Sequence, residues 1–283
     1  MKQKKLPSLL GGSMIIAGTA IGAGMLANPT AMSGIWFLGS VILFLIIWGI
    51  TTLSALMLLE ANLHFEKGAN FDTITTQLLG KGWNIFNGIS VAFTLYILTY
   101  AYITSGGSIT KSLLNRFVPE LPINHTFSAL LFCFVLALFV SISTKAVDRM
   151  STILISGMVI AFFLSTTGLL SSAKSEILLN TVAHTETSYL PYLFSAIPTC
   201  LVSFGYHICV PTLVNYYDKK SKKVIYSILI GSLLALIIYI SWQMAVQGNL
   251  PRGEFAPIIS KGGDVATLLS ALNRYIPVLS ISI

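Results

Sequence analysis

Charge is scarce in this chain: Asp, Glu, Lys and Arg make up 10% of its 283 residues, where a water-soluble domain carries about 25%. With a hydrophobic fraction of 54%, there is too little polar side chain to clothe an ordinary globular surface, and a soluble protein is excluded. Cysteine is scarce too. Cys133, Cys200 and Cys209 all fall within apolar stretches, which excludes a secreted disulfide scaffold and leaves them as small buried residues. The apolar stretches hold no HExxH pattern and no pair of aspartates, so intramembrane hydrolases of the metal and aspartyl classes are excluded, and no metal or cofactor is expected. The lysines at the N-terminus imitate a secretion signal, but the apolar run behind them continues through Pro29 without a cleavage-type ending. A retained first helix is expected there.

What is present is a series of long uncharged runs. Residues 6–59 hold no Asp, Glu, Lys or Arg, enough for two helical spans of about 20 residues each, with Met32-Ser33-Gly34 as the turn. Further runs cover 82–110, 121–144, 150–173, 187–217 and 224–251, and another opens near Val265. The pattern predicts seven spans and the start of an eighth. The net charge of +7 does not indicate nucleic acid, because the basic residues sit in short loops instead of interleaving with aromatics on one surface. They report orientation instead. With the N-terminus inside, eleven fall on the cytoplasmic side (Lys2, Lys4, Lys5, Lys67, Lys81, Lys145, Arg149, Lys219, Lys220, Lys222, Lys223) and five outside (Lys111, Arg116, Lys174, Arg252, Lys261), a positive-inside bias. Trp36, Trp83, Tyr189, Tyr192, Tyr216 and Tyr217 lie near span ends, where amphipathic rings anchor at the headgroups.

Two spans carry helix-weakening residues at their middles. The first holds Gly18-Thr19-Ala20-Ile21-Gly22-Ala23-Gly24, with Pro29 beyond; at a rise of about 1.5 Å per residue from Leu9, Gly18 lies about 14 Å into a core of about 30 Å. The sixth holds Ser203-Phe204-Gly205-Tyr206-His207-Ile208-Cys209-Val210-Pro211. Lipid cannot hydrogen-bond a freed backbone, so such breaks line substrate sites. Inverted-repeat transporters place them at matching positions in their two halves, and the loop charges require the first and sixth spans to enter from opposite sides, as that arrangement demands. For Gly18 and Gly22 the competing reading is close helix packing through a GxxxG spacing.

An unwound segment offers N–H groups to a carboxylate and carbonyls to an ammonium, the two ends of an amino acid. Thr19 and Ser203 add hydroxyls. Tyr96 and Tyr100, four apart on one helical face, line a pocket or simply pack; with Phe204 and Tyr206 they border a substrate ring. His207, the one histidine deep in a span, and Glu60, at the inner end of the second, are the candidates for ion coupling. The plain alternatives are a neutral imidazole bonded to a carbonyl and an interfacial acid.

Residues 11–27, from Gly11 to Ala27, resemble the opening helix of the bacterial aromatic amino acid permeases, the tyrosine- and tryptophan-specific transporters. Leu56-Met57-Leu58-Leu59-Glu60-Ala61-Asn62-Leu63 and Ser203-Phe204-Gly205-Tyr206-His207, followed by Val210-Pro211-Thr212-Leu213-Val214-Asn215-Tyr216-Tyr217, are similar to two more of that family's signatures. The resemblance implies two inverted five-helix halves and uptake of an aromatic amino acid, tyrosine first, with a proton across the bacterial inner membrane; sodium is the alternative coupling ion. Ile208 and Asn28 depart from the family pattern, where a small and an apolar residue are usual. The fold class expected is an all-α integral membrane protein with the inverted-repeat transporter fold, broken first and sixth helices and a second half incomplete in this chain. A single transmembrane domain over 1–283 is expected, with a first repeat at about 8–172 and the start of its inverted copy at about 189–283. The substrate-binding set is Gly18, Thr19, Ala20, Gly22, Gly24, Tyr96, Tyr100, Ser203, Phe204, Gly205, Tyr206 and His207, with His207 and Glu60 for coupling. The expected partners are an amino acid and the lipid bilayer, not nucleic acid; the oligomeric state is left open. Because the chain reaches Ile283 inside an apolar segment, a fragment, an inactive piece or a channel-like scaffold are the remaining readings.

Overall fold

The computed structural model describes residues 8–117, 123–142, 157, 160, 162–164, 166–181, 188–260 and 265–275, and every regular element among them is helical. We number the main helices α1 (Leu9–Gly24), α2 (Asn28–Ala31), α3 (Trp36–Leu63), α4 (Phe71–Leu79), α5 (Lys81–Phe117), α6 (His125–Ile142), α7 (Leu193–Ser203), α8 (Cys209–Tyr216), α9 (Ser221–Gln247), α10 (Phe255–Ser260) and α11 (Val265–Tyr275). Among the described residues, four stretches are long and apolar enough to cross a bilayer: Trp36–Leu63, Lys81–Phe117, Leu190–Tyr216 and Ser221–Gln247; Leu9–Gly22 and His125–Leu138 are shorter apolar helices. These match six of the expected spans; of the fifth, at 150–173, residues 157, 160, 162–164 and 166–173 are described.

Local chemistry sets several ends. The Ser8 hydroxyl accepts from Gly11 N at 3.2 Å to cap α1, and Asn70 Oδ1 accepts from Thr73 N at 3.0 Å to cap α4, each satisfying an N–H that has no intrahelical partner. Gly80, at φ 87, takes the left-handed conformation that ends α4 and lets the chain turn into α5. The two faces of α3 show what surrounds it. Leu38, Ile42, Ile46, Ile50, Leu53 and Met57 are exposed along one stripe, while Ser40, Phe44, Ile47, Thr51, Ala55 and Leu59 are buried along the other. A helix with an apolar outer stripe and hydroxyls turned inward is built for lipid outside and a bundle inside.

The chain divides into two compact units. The first, Met1–Thr94 with Thr187–Gln243, packs α1 against α7 and α8, α2 against α7, and α3 against both α7 and α8. Its middle is an aromatic cluster: Tyr239 stacks on Phe44 at 5.7 Å between centroids and meets Phe204 edge-on at 5.2 Å. At one end, the Tyr217 hydroxyl accepts from Gly12 N (3.1 Å) and Ser227 Oγ (3.1 Å) and donates to the Ser8 carbonyl (2.8 Å). Nearby, Lys67 Nζ pairs with Asp218 at 2.5 Å, Gly68 N donates to Asn215 Oδ1 at 2.9 Å, and Lys219 Nζ donates to the Phe65 carbonyl.

The second unit is Leu95–Glu186 with Met244–Ile283. There α5 and α6 touch through backbone, since a Cβ on Gly107 would come within 2.8 Å of the Ala129 Cα, the close approach that small residues allow between membrane helices. Asn249 Nδ2 donates to the Leu169 carbonyl at 2.7 Å, and Lys174 N to the Gly248 carbonyl at 2.9 Å. The three cysteines are free.

Candidate functional site

The sixth span breaks where its sequence weakens. Helix α7 ends at Ser203; Gly205 N closes a turn on the Val202 carbonyl at 3.0 Å, a single 3-10 turn covers Tyr206–Ile208, and α8 resumes at Cys209. The first span also breaks, but not over Gly18 to Gly24 as expected. That segment is wound as α1 through Gly24; the chain turns at residues 25–27, and α2 follows. The reason lies in Pro29, at the start of α2. In a continued helix its ring would clash with the carbonyl four residues earlier, at Met25, and its missing N–H would leave that carbonyl unpaired. A glycine in a helix costs only about 1 kcal/mol, which packing offsets, so the proline and not the glycines sets the break. Among the described residues, a Cβ on Gly18 or Gly22 meets nothing within 4 Å, so no described helix packs closely on this GxxxG spacing.

The two interruptions meet through Gly24, where an added Cβ would lie 2.7 Å from the Ser203 Cα. Ser203 Oγ donates to the Thr199 carbonyl at 2.8 Å and lies 2.9 Å from Asn28 Oδ1, just past the first break. The Tyr239 hydroxyl, from α9, reaches the Ala20 carbonyl of α1 at 2.6 Å and the Ser203 carbonyl of α7 at 2.7 Å. Thr19 Oγ1 lies 3.2 Å from Cys209 Sγ and donates to the Ile15 carbonyl at 2.8 Å. One junction therefore gathers Thr19, Ala20, Gly24, Ser203, Phe204 and Gly205.

The ring-bearing residues are placed less simply. Phe204 is fully buried between Phe44 and Tyr239. Tyr206 is also buried, its hydroxyl 3.1 Å from Thr52 Oγ1, which in turn lies 3.4 Å from Ser232 Oγ. His207 stacks on the Tyr206 ring at 5.4 Å, and its Nε2 is buried without a hydrogen-bond partner among the described residues. Tyr96 and Tyr100 belong to the second unit and are 70% and 65% exposed on α5. Glu60 is exposed in the last turn of α3, with its carbonyl 2.9 Å from His64 Nδ1.

Sequence reasoning missed Tyr239 as the tie between the two breaks, and it noticed Asn28 only as an unusual residue before a proline. A tyrosine and an asparagine inside apolar runs were the available signals, because a buried polar side chain in a membrane bundle needs a partner.

The profile of the tryptophan/tyrosine permease family matches residues 5–283. The tryptophan-specific transport protein of Haemophilus influenzae is 62% identical, over 100% of this chain and 69% of its own length. That of Pseudomonas aeruginosa is 50% identical over 95% of this chain and 64% of its own length, and the tyrosine permease of Enterobacter agglomerans is 38% identical over 96% and 66%. The chain thus spans about two thirds of the length of the relatives it matches. Those relatives are named as transport proteins and permeases, in agreement with the expectation of a transporter and not an enzyme. A helical membrane chain whose first and sixth spans break side by side, matched along nearly all of its length, is a member of the tryptophan/tyrosine permease family.

Proposed function

We propose that this chain forms the substrate-binding part of a secondary active transporter that imports an aromatic amino acid by proton symport across the bacterial inner membrane, with its N-terminus cytoplasmic. Tyrosine was the first expectation from sequence; the tryptophan-specific names of relatives 62% and 50% identical move our choice to tryptophan, with tyrosine second. The observation that carries the reading is the contact of the two interruptions, Gly24 against Ser203 with Asn28 bridging. No charged side chain stands at residues 25–27 or 204–205, and backbone at the breaks of discontinuous membrane helices supplies the donors and acceptors that a zwitterion needs. The inverted repeat, with halves at about 8–172 and 189–283, belongs to the same proposal, as do Gly18, Gly22, Tyr96 and Tyr100 in the pocket and His207 or Glu60 in coupling.

The test is saturable binding of labelled tryptophan to the purified chain, with tyrosine as competitor, and uptake into membrane vesicles under an imposed pH gradient. Accumulation that collapses with a protonophore and persists when choline replaces sodium is the expected result. Uptake indifferent to the pH gradient rejects proton coupling, loss in choline assigns the coupling to sodium, and uptake that never exceeds the external concentration identifies a channel.

A further inference from the structure

Asn28 is 1% exposed and stands immediately after the break in the first span. Its Oδ1 lies 2.9 Å from the Ser203 hydroxyl, at the edge of the other break. Its Nδ2 is buried and has no hydrogen-bond partner among the described residues. An amide whose two N–H donors are left unpaired in a membrane interior is a standing cost to the fold. Holding Ser203 does not explain it, because the Ser203 hydroxyl already has the Thr199 carbonyl at 2.8 Å, so an apolar residue of the same size at position 28 would orphan nothing.

The unpaired atom is a donor, and its complement is an acceptor. We infer that Asn28 positions the transported amino acid by donating from Nδ2 to the substrate α-carboxylate. This rests on the transport reading above and assigns one end of the substrate to one side chain. A charge-assisted bond from a neutral amide holds the carboxylate without adding a fixed positive charge to the bilayer interior. It also orients the ligand: with the carboxylate at Asn28, the ammonium and the ring are directed elsewhere in the junction.

The test is equilibrium binding to the purified full chain of three probes: tryptophan, indole-3-propionate (carboxylate, no amine) and tryptamine (amine, no carboxylate). Asn28→Leu is expected to weaken tryptophan and indole-3-propionate by about 10- to 100-fold, as for a lost hydrogen bond to a charged group. Tryptamine binding is expected to change by less than about 2-fold. Asn28→Asp keeps the shape but sets a carboxylate against a carboxylate, so it weakens the same two probes at least as much and keeps the assignment testable if the leucine variant fails to fold. The melting temperature of Asn28→Leu is expected to equal or exceed the parent's, because an unpaired buried amide is removed. Unchanged tryptophan binding in both variants overturns the inference while leaving the transport reading intact. Equal weakening of all three probes with a lowered melting temperature makes Asn28 structural and also overturns it. A parent chain that binds none of the three overturns the transport reading and this inference together.

Discussion

Replacing Tyr239 by phenylalanine removes one oxygen and leaves the ring, so its stacking on Phe44 at 5.7 Å and its edge contact with Phe204 at 5.2 Å persist. What is lost is the hydroxyl at 2.6 Å from the Ala20 carbonyl and 2.7 Å from the Ser203 carbonyl. The hydroxyl has one proton, shared between two acceptors. Ala20 lies within α1, but Ser203 ends α7, where the last carbonyls have no intrahelical donor. A side-chain hydrogen bond in a membrane bundle contributes about 0.6 kcal/mol, reaching about 1.7 in the strongest cases, and a buried acceptor left unpaired costs about 1–3 kcal/mol. These two terms overlap, so the net loss is about 1–3 kcal/mol. At about 2–4 °C per kcal/mol for a chain near this size, the melting temperature falls by about 2–12 °C. The assay is thermal unfolding of the purified protein in one detergent, with Tyr226→Phe as the control, because Tyr226 is exposed on the same helix. A Tyr239→Phe protein that melts within about 1 °C of the parent contradicts the reasoning, because the phenol would then not be tying the two interrupted helices together.

Gly24→Ala places a Cβ against the Ser203 backbone at 2.7 Å, where no side chain can rotate away, and is expected to cost about 1–3 kcal/mol by overpacking; the same melting assay reads it. Gly18→Ala meets open space in a wound helix and is expected to raise stability by up to about 1 kcal/mol; no gain would place the unwinding at Gly18 after all. Lys67→Ala removes an ion pair whose partners are 59% and 65% exposed, so its effect stays below about 1 kcal/mol and vanishes in high salt, as denaturation at two ionic strengths shows. Tyr96→Ala and Tyr100→Ala are expected to leave stability within about 0.5 kcal/mol yet to weaken tryptophan binding by about 10-fold, the loss of a ring contact; unchanged binding removes both tyrosines from the pocket.

The spans and the second interruption were legible because composition and punctuation speak directly there: uncharged runs of membrane length, and Gly205 followed by Pro211 in the middle of one. The first interruption was displaced by several residues for a physical reason. Glycines lower helix propensity, but a propensity of about 1 kcal/mol per residue yields to packing, and Gly24 is used to bring α1 against Ser203 rather than to unwind it. The bar to helix continuation is Pro29. The surroundings of Phe204 and Tyr206 were not legible at all. Their partners Phe44, Tyr239 and Thr52 lie on other helices, 35 or more residues away in the chain, and helical periodicity carries no information about which neighbour a face meets. The Tyr217 hydroxyl, bonded to Ser8 and Gly12 more than 200 residues earlier, was hidden in the same way, behind a plausible role as an interfacial anchor.

Amide hydrogen exchange of the full chain, with and without saturating tryptophan, tests the core of this account most directly. Slowed exchange confined to residues 25–28 and 204–208, on the two sides of the junction, is the result predicted. Protection elsewhere with both segments unaffected, or none at any tryptophan concentration, would mean that the substrate is not held where the two helices break.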